Sequence, residues 1–256
     1  MTNFMMIGDV FGEPGRRLLD QHIQQLRKEY DLDFIVVNGE NAAHGRGIHS
    51  SIANHWLTDL AIDVITTGNH AFDVKGIESF YDQEPRLLRP LNLELPKAGH
   101  GYWKGSVNGV SFLVVNIMGQ VHMPICSDPF RAIDLLLSEV SADVTIVDMH
   151  ADATSESQAM GWHCDGRVTA VLGTHTHVPT LDLKILPSGT AYVTDIGMTG
   201  PYGGVIGMDR ETSLQRFYTG KRASMAVAQD QLELHAVIVS CNGQQTQHVQ
   251  RICRTL

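Results

Sequence analysis

Short apolar runs separated by segments of helical periodicity dominate the first half of this chain. Residues 4–7 (FMMI), 34–37 (FIVV) and 62–66 (IDVIT) read as buried strands. Between the first two, Pro14 opens a segment whose apolar residues recur at helical spacing. A second helix is predicted through Leu60, with Ser50 or Ser51 as its cap. This alternation predicts a sheet whose parallel strands are connected by helices.

Hairpin signals become common in the second half. Asn108-Gly109 separates two strand-like runs within residues 101–116, and KILPSGTAYVTD at 184–195 has a similar form. The tail from 224 to 252 reads as two or three further strands. Together the two halves predict an α/β (α+β) fold, a four-layer αββα sandwich with two mixed β-sheets packed face to face and helices on the outside. With no internal repeat or obvious linker, we expect residues 1–256 to form a single domain.

Polar residues are concentrated where the predicted strands end. In sheets with crossover helices, the carboxyl ends of the strands form the edge at which sites are built. Carboxylate, amide and imidazole groups collected at such an edge are suitable metal ligands. The coincidence of five such ends predicts a metal site. The five ends are GD at 8–9, NGEN at 38–41, GNH at 68–70, MH at 149–150 and THTH at 174–177.

The histidine pair of the last strand end raises two alternatives. If the backbone stays extended, His175 and His177 point to the same side, as two ligands of a metal site would. Histidines at strand ends are also often satisfied by a single hydrogen bond, and His150 alone would usually be a hydrogen-bonded core residue. The other strand ends favour the metal interpretation.

These motifs, in this order, resemble those of the calcineurin-like metallophosphoesterases. More narrowly, the chain resembles the YmdB-like family of bacterial cyclic-nucleotide phosphodiesterases over about residues 5 to 217. Two departures from the broad superfamily, Phe11 in place of the histidine of Asp-x-His and Glu40 in place of a bridging aspartate, are typical of the narrower family. The stretches that carry the resemblance are IGDVFGEPGR, NGENAAHGRG, GNHAFD, HADATSE, GTHTHVPT and TDIGMTGPYGGVIGMDRE.

The resemblance implies two divalent metal ions per subunit, bridged by one carboxylate. Oxygen and imidazole ligands without thiolate suit Fe or Mn, which we favour, with Zn as the alternative. Carried over residue by residue, the ligands of the first ion are Asp9, Glu40, Asn41 and His177, and those of the second are Glu40, Asn69, His150 and His175.

The implied activity is hydrolysis of small cyclic nucleotides, 2′,3′-cyclic or 3′,5′-cyclic, by in-line attack of a hydroxide that bridges the metals. His70, beside Asn69, is the candidate general acid. Asp73 either orients His70 or is an ordinary turn or cap residue. Arg46, flanked by glycines in HGRG, either contacts substrate or lies in a surface loop. The glycine-rich stretch 197–209 either borders the pocket or packs against it.

Two alternative functions stay open. One is a phosphomonoesterase or protein phosphatase on the same scaffold, and the other is a regulatory nucleotide- or RNA-associated protein with little turnover. Acidic residues outnumber basic ones by 28 to 19, for a formal charge of -9. This balance argues against a stable complex with long nucleic acid.

The location and assembly of the protein are less constrained. No window has the length of apolar sequence that a membrane span needs, and the N-terminus lacks the basic segment of a signal peptide. The four cysteines are scattered, without a CxxC pair. We therefore expect a cytoplasmic protein with no membrane partner, and a homo-oligomer is compatible with the sequence.

Overall fold

The strands of the protein form two mixed sheets. The structure is a computed structural model that describes residues 1–94, 97–220 and 226–256. In these ranges twelve strands occur: β1 (Thr2–Ile7), β2 (Phe34–Asn38), β3 (Val64–Thr66), β4 (Tyr102–Val107), β5 (Val110–Met118), β6 (Val144–His150), β7 (Ala170–Thr174), β8 (Lys184–Ile185), β9 (Ala191–Val193), β10 (Gly200–Pro201), β11 (Leu232–Asn242) and β12 (Gln245–Thr255).

Helices connect most of the parallel strands. The same ranges contain six: α1 (Gly12–Glu29), α2 (Ser50–Thr58), α3 (Glu78–Gln83), α4 (Pro129–Glu139), α5 (Thr154–Cys164) and α6 (Arg210–Thr219). Among these helices, none is both long and apolar enough to cross a membrane.

Each sheet has a parallel centre and antiparallel edges. The first sheet has the order β10-β11-β1-β2-β3, with β12 also paired to β11. In it β1, β2 and β3 are parallel, and β11 is antiparallel to β1. The second sheet has the order β4-β5-β6-β7-β9-β8, in which β5, β6, β7 and β9 are parallel. The carboxyl ends of the central strands therefore lie at one edge of each sheet.

Alternating side chains of β1 divide the core into layers. Phe4 and Met6 pack between the sheets, whereas Met5 and Ile7 point to the opposite face and pack with residues of α1 such as Leu18. This division follows from the two-residue period of a strand, and it buries both faces of the sheet.

The second sheet repeats this arrangement. Phe112 of β5 faces the inter-sheet core, and Leu113 packs on the outer face with Ile133 of α4 and Met160 of α5. The order of layers is helices, sheet, sheet, helices. The predicted αββα sandwich of two mixed sheets is confirmed.

Several local predictions need adjustment. Helix α2 has His49 as its N-cap, so neither Ser50 nor Ser51 is the cap, and the helix ends at Thr58 before the predicted Leu60. Both predicted hairpins are present, as β4–β5 and β8–β9. The predicted tail contains two strands, β11 and β12, while its first residues, 224 and 225, lie outside the described ranges.

Replacing Phe34 by alanine tests the inter-sheet core. Its ring stacks on that of Phe112 from the other sheet, with centroids 4.2 Å apart and an interplanar angle of 8°. The Phe34→Ala variant should lose about 3–5 kcal/mol of unfolding free energy in a urea titration, because it leaves a cavity between the sheets. Phe217→Ala is the control, since Phe217 is 78% exposed. Equal losses in the two variants would contradict this packing.

Candidate active site

The polar strand ends of both sheets meet at one site. Glu40 follows β2 of the first sheet, His150 ends β6 of the second, and His175 follows β7. One potential ligand atom from each of these three residues lies within 4.8 Å of those from the other two. Residues more than a hundred positions apart in sequence are brought together because the carboxyl ends of their strands face the same region.

The Nε2 atom of His150 is the centre of this cluster. It lies 3.2 Å from Oε1 of Glu40, 3.1 Å from Oδ1 of Asn69 and 3.1 Å from Nδ1 of His175. Neighbouring ligands of a metal ion with bonds of about 2.1 Å are separated by about 3 Å. The four side chains therefore have the spacing and the chemistry of a shared cation site.

Hydrogen bonds behind His150 orient its ring. Thr174 Oγ1 lies 2.9 Å from His150 Nδ1 and donates to Asp148 Oδ1 at 2.7 Å. Because that hydroxyl proton goes to Asp148, the hydroxyl oxygen accepts from the imidazole N–H. Asn38 Nδ2 donates to the other oxygen of Asp148 at 2.9 Å. This network keeps the proton of the neutral ring on Nδ1 and leaves Nε2 as the ligand atom.

Asn41 and His177 form a second pair of potential ligands. His177 Nε2 lies 3.2 Å from Oδ1 of Asn41. The opposite nitrogen of His177 donates to the Ile206 carbonyl at 2.9 Å, and the Asn41 amide nitrogen donates to the Gly45 carbonyl at 3.0 Å. These backbone contacts direct an imidazole nitrogen and an amide oxygen toward each other, as a metal site requires.

Asp9 is the clearest sign that this region suits a cation. The residue is 0% exposed, and its Oδ2 accepts from the His175 backbone N–H at 3.1 Å. Its Oδ1 is buried and has no hydrogen-bond partner among the described residues. A buried carboxylate oxygen without a partner is costly unless a positive group neutralises it. The donor set therefore fits divalent metal ions.

Burial and mutual charge shift the ionisation of these groups in the metal-free chain. Burial raises the pKa of Asp9 to about 7, and the charge of Glu40 acts in the same direction while His150 opposes it. Burial lowers the pKa of His175 to about 3, assisted by His150. For the His150–Glu40 pair, mutual attraction outweighs the burial of each group, so the pKa of His150 is raised and that of Glu40 is lowered. His175 is thus neutral, with a lone pair available.

The backbone at Gly68 passes directly against the cluster. A methyl group at this position would overlap the His150 imidazole and the Glu40 carboxylate. The absence of a side chain here lets β3 deliver Asn69 and His70 next to the other strand ends.

The HxH segment does not have the extended backbone that the spacing argument assumed. Strand β7 ends at Thr174, and both His175 (φ 108°) and His177 (φ 64°) have positive φ. The premise of an extended segment is therefore wrong. Between them, Thr176 donates from its backbone N–H and its hydroxyl to Asp195 Oδ2, each at 2.8 Å. This turn separates the two rings, so that His175 reaches His150 and His177 reaches Asn41.

His70 lies beside the cluster and borders open space. Its backbone N–H donates to Glu40 Oε2 at 3.2 Å, and its Nδ1 lies 2.8 Å from Asp73 Oδ2. The side chain is 23% exposed. Asp73 therefore contacts the ring directly, as one of the two sequence interpretations expected, and Nε2 is the nitrogen left for a substrate.

A cavity of about 490 Å³ opens in front of these residues. Arg46 lies on its wall, so this exposed arginine does border the site. The glycine-rich stretch 197–209 also borders the cavity. Phe11, just before α1, and the helix α6 line the cavity as well, although the sequence analysis placed neither of them there. The residues contributed by the stretch and by α6 are Val205, Ile206, Met208, Ser213, Arg216 and Phe217.

Sequence reasoning assigned no role to the residues that orient the candidate ligands. Asn38 and Asp148 are polar residues at the ends of otherwise apolar strands, and that contrast was a usable signal for buried polar contacts. Asp195, which follows the apolar strand β9, had the same signal. The Ile206 carbonyl acts through a long-range backbone contact, for which the local sequence carries no equivalent signal.

Comparison with known proteins identifies the family of the chain. The family model for YmdB-like proteins matches residues 5–254. The chain is 44% identical to the 2′,3′-cyclic-nucleotide 2′-phosphodiesterase of Bacillus subtilis (strain 168) over 242 residues, covering 94% of this chain and 91% of that protein.

Two solved structures share the whole fold. A hypothetical protein from Thermus thermophilus superposes with a TM-score of 0.94 at 41% identity, covering 99% of both chains. A novel phosphatase from Mycoplasma pneumoniae superposes with a TM-score of 0.93 at 34% identity, covering 99% of this chain and 93% of that one. The family resemblance seen in the motifs is confirmed, and the chain belongs to the YmdB-like protein family.

Proposed function

We propose that this phosphoesterase is a dinuclear metal-dependent phosphodiesterase that hydrolyses small cyclic nucleotides, with 2′,3′-cyclic nucleotides as the first candidates. The observation that carries the proposal is the cluster of Glu40, His150 and His175 with His70 beside it at a cavity. The 2′,3′-cyclic-nucleotide activity named for the Bacillus subtilis relative supports the substrate class. The 3′,5′-cyclic nucleotides are the second candidates.

Seven side chains are assigned to the two metal ions. Bound at such a site, paired divalent ions supply an activated water and positive charge for the phosphoryl oxygens. Nitrogen and oxygen ligands without thiolate favour Mn or Fe, with Zn as the alternative. The proposed ligands are Asp9, Glu40, Asn41 and His177 for one ion and Glu40, Asn69, His150 and His175 for the other, with Glu40 shared.

His70 is assigned the role of general acid. Asp73 accepts from the Nδ1 side of the ring at 2.8 Å, and this contact holds the imidazole in position. A protonated ring then has its second proton on Nε2, from which it passes to the leaving ribose oxygen. General acid catalysis of this kind contributes about 10²–10⁴-fold in rate.

Arg46 is assigned to the substrate. It is exposed on the cavity wall, and its planar guanidinium can donate two parallel hydrogen bonds to phosphoryl oxygens. We also propose that residues 1–256 act as one domain and that the protein works in the cytoplasm.

The variant His70→Ala tests the general acid. It should retain both metal ions in elemental analysis, because the imidazole is not an assigned ligand. Its kcat on a phosphodiester should fall by about 10²–10⁴-fold, because the leaving oxygen loses its proton donor. His44→Ala is the matched control, since His44 is an exposed histidine of the loop after β2. Near-normal kcat in His70→Ala would remove this role.

The variant Glu40→Ala tests the shared carboxylate. It should bind less metal than the wild type in elemental analysis, because both ions lose a ligand. A hundredfold excess of Mn²⁺ over its Kd should stabilise the wild type by about 2.7 kcal/mol, and the variant by less. Glu13→Ala, at a half-exposed position of α1, is the control. Two ions still bound to Glu40→Ala would contradict the bridging assignment.

A substrate comparison distinguishes the alternative functions. With Mn²⁺ or Fe²⁺ present, kcat/KM should be higher for bis-p-nitrophenyl phosphate than for p-nitrophenyl phosphate, since a diester is the proposed substrate. The opposite order would favour a phosphomonoesterase or protein phosphatase. Tight nucleotide binding without hydrolysis of either compound would instead favour a regulatory nucleotide- or RNA-associated protein.

A further inference from the structure

Helix α6 presents one face to the cavity. The Asp209 side chain caps the helix by accepting from the Thr212 backbone N–H at 2.9 Å. Ser213, Arg216 and Phe217 line the cavity, and their spacing of three and four residues places them on the same side of the helix. Tyr218, the next residue, lies off this face and is not among the described residues that line the cavity.

Within the part of the chain that the structure describes, Ser213 contains a polar atom without a partner. The residue is 1% exposed, and its Oγ has no hydrogen-bond partner among the described residues. A buried hydroxyl normally has such a partner, and burying one without it is unfavourable. Because Ser213 lines the cavity, a ligand in that space is the natural partner for the hydroxyl.

Phe217 presents an aromatic ring to the same space. It is 78% exposed although it lines the cavity. The wall also contains apolar side chains of Phe11, Val205 and Ile206. A phosphate group gains nothing from such surfaces. A purine or pyrimidine, in contrast, has a flat face that stacks on an aromatic ring and an edge that forms hydrogen bonds.

We propose that the cavity face of α6 binds the nucleobase of the substrate, with Phe217 stacked on the base and the Ser213 hydroxyl hydrogen-bonded to its edge. This assignment rests on the proposed function and adds to it a subsite for the base. The phosphodiester then lies toward His70, which lines the same cavity. Stacking is tolerant of base identity, and the Ser213 hydroxyl, which can donate or accept, adds one hydrogen bond to the base edge.

Two substrates with the same reacting group test the stacking. These are 2′,3′-cyclic AMP and ribose 2′,3′-cyclic phosphate, which has no base. Phe217→Ala should raise KM for cyclic AMP about 5- to 150-fold, the range expected for one lost stacking contact, with little change in kcat. Its kcat/KM for the compound without a base should equal that of the wild type. Phe217→Trp should restore the lower KM, and Tyr218→Ala, which changes an 80% exposed aromatic neighbour, should leave it unchanged.

Ser213→Ala tests the hydroxyl through two measurements, the melting temperature of the free protein and KM for cyclic AMP. Removing a buried hydroxyl without a partner should leave the melting temperature of the free protein unchanged or higher. The same change should raise KM for cyclic AMP and leave the compound without a base unaffected. A lower melting temperature, together with the same fractional loss of kcat/KM on both substrates, would mean that Ser213 only supports the fold.

The remaining outcomes separate this proposal from the proposed function. If the wild type hydrolyses neither these compounds nor 3′,5′-cyclic AMP, the proposed function fails, and calorimetry with adenosine 3′-monophosphate still tests the subsite. The base subsite would be overturned if the wild type and Phe217→Ala bound that nucleotide with equal affinity. It would also be overturned if Phe217→Ala lost the same fraction of kcat/KM on both substrates. A lower molecular mass of Phe217→Ala in sedimentation, with unchanged KM, would show instead that Phe217 packs on a second copy of the chain.

Discussion

The buried contact between Glu40 and His150 is the interaction on which the site depends. Glu40 follows a strand of the first sheet and His150 ends a strand of the second, so their 3.2 Å separation joins the two halves of the sandwich. Both side chains are almost completely buried, and Asp9 adds another buried carboxylate nearby. Burying such groups is costly unless each is paired or bound to a metal. The fold meets this requirement by bringing the polar strand ends of both sheets together, so that the buried charged groups lie next to one another.

Additional contacts hold the candidate ligands in this arrangement. The hydroxyl of Thr174 connects His150 to Asp148, and the Ile206 carbonyl fixes His177. Asp195 binds Thr176 in the turn where both histidines have positive φ, a conformation that residues other than glycine adopt at some cost. The site therefore relies on residues other than the candidate ligands. Asp148 and Thr174 belong to the second sheet, Asp195 follows its strand β9, and Ile206 lies in the loop after β10.

The cavity combines two kinds of surface. Its floor contains polar groups around Glu40 and His70, and its wall contains Phe217 and neighbouring apolar residues from the stretch 197–209. A phosphodiester joined to a base has these same two parts.

The sequence by itself determined the two mixed sheets, their strands other than β10, and the collection of polar residues at the strand ends. It could do so because strand periodicity and the motifs at the strand ends are local properties of the chain. The tertiary structure alone decided that the HxH segment turns, because the contact from Asp195 comes from a strand end about twenty residues away. It also decided the place of α6, where the apolar residues at helical spacing, Leu214, Phe217 and Tyr218, are exposed and Ser213 is the buried residue. Long-range packing sets both the turn and the position of α6 at the cavity, because the local sequence does not specify which distant residues either one contacts.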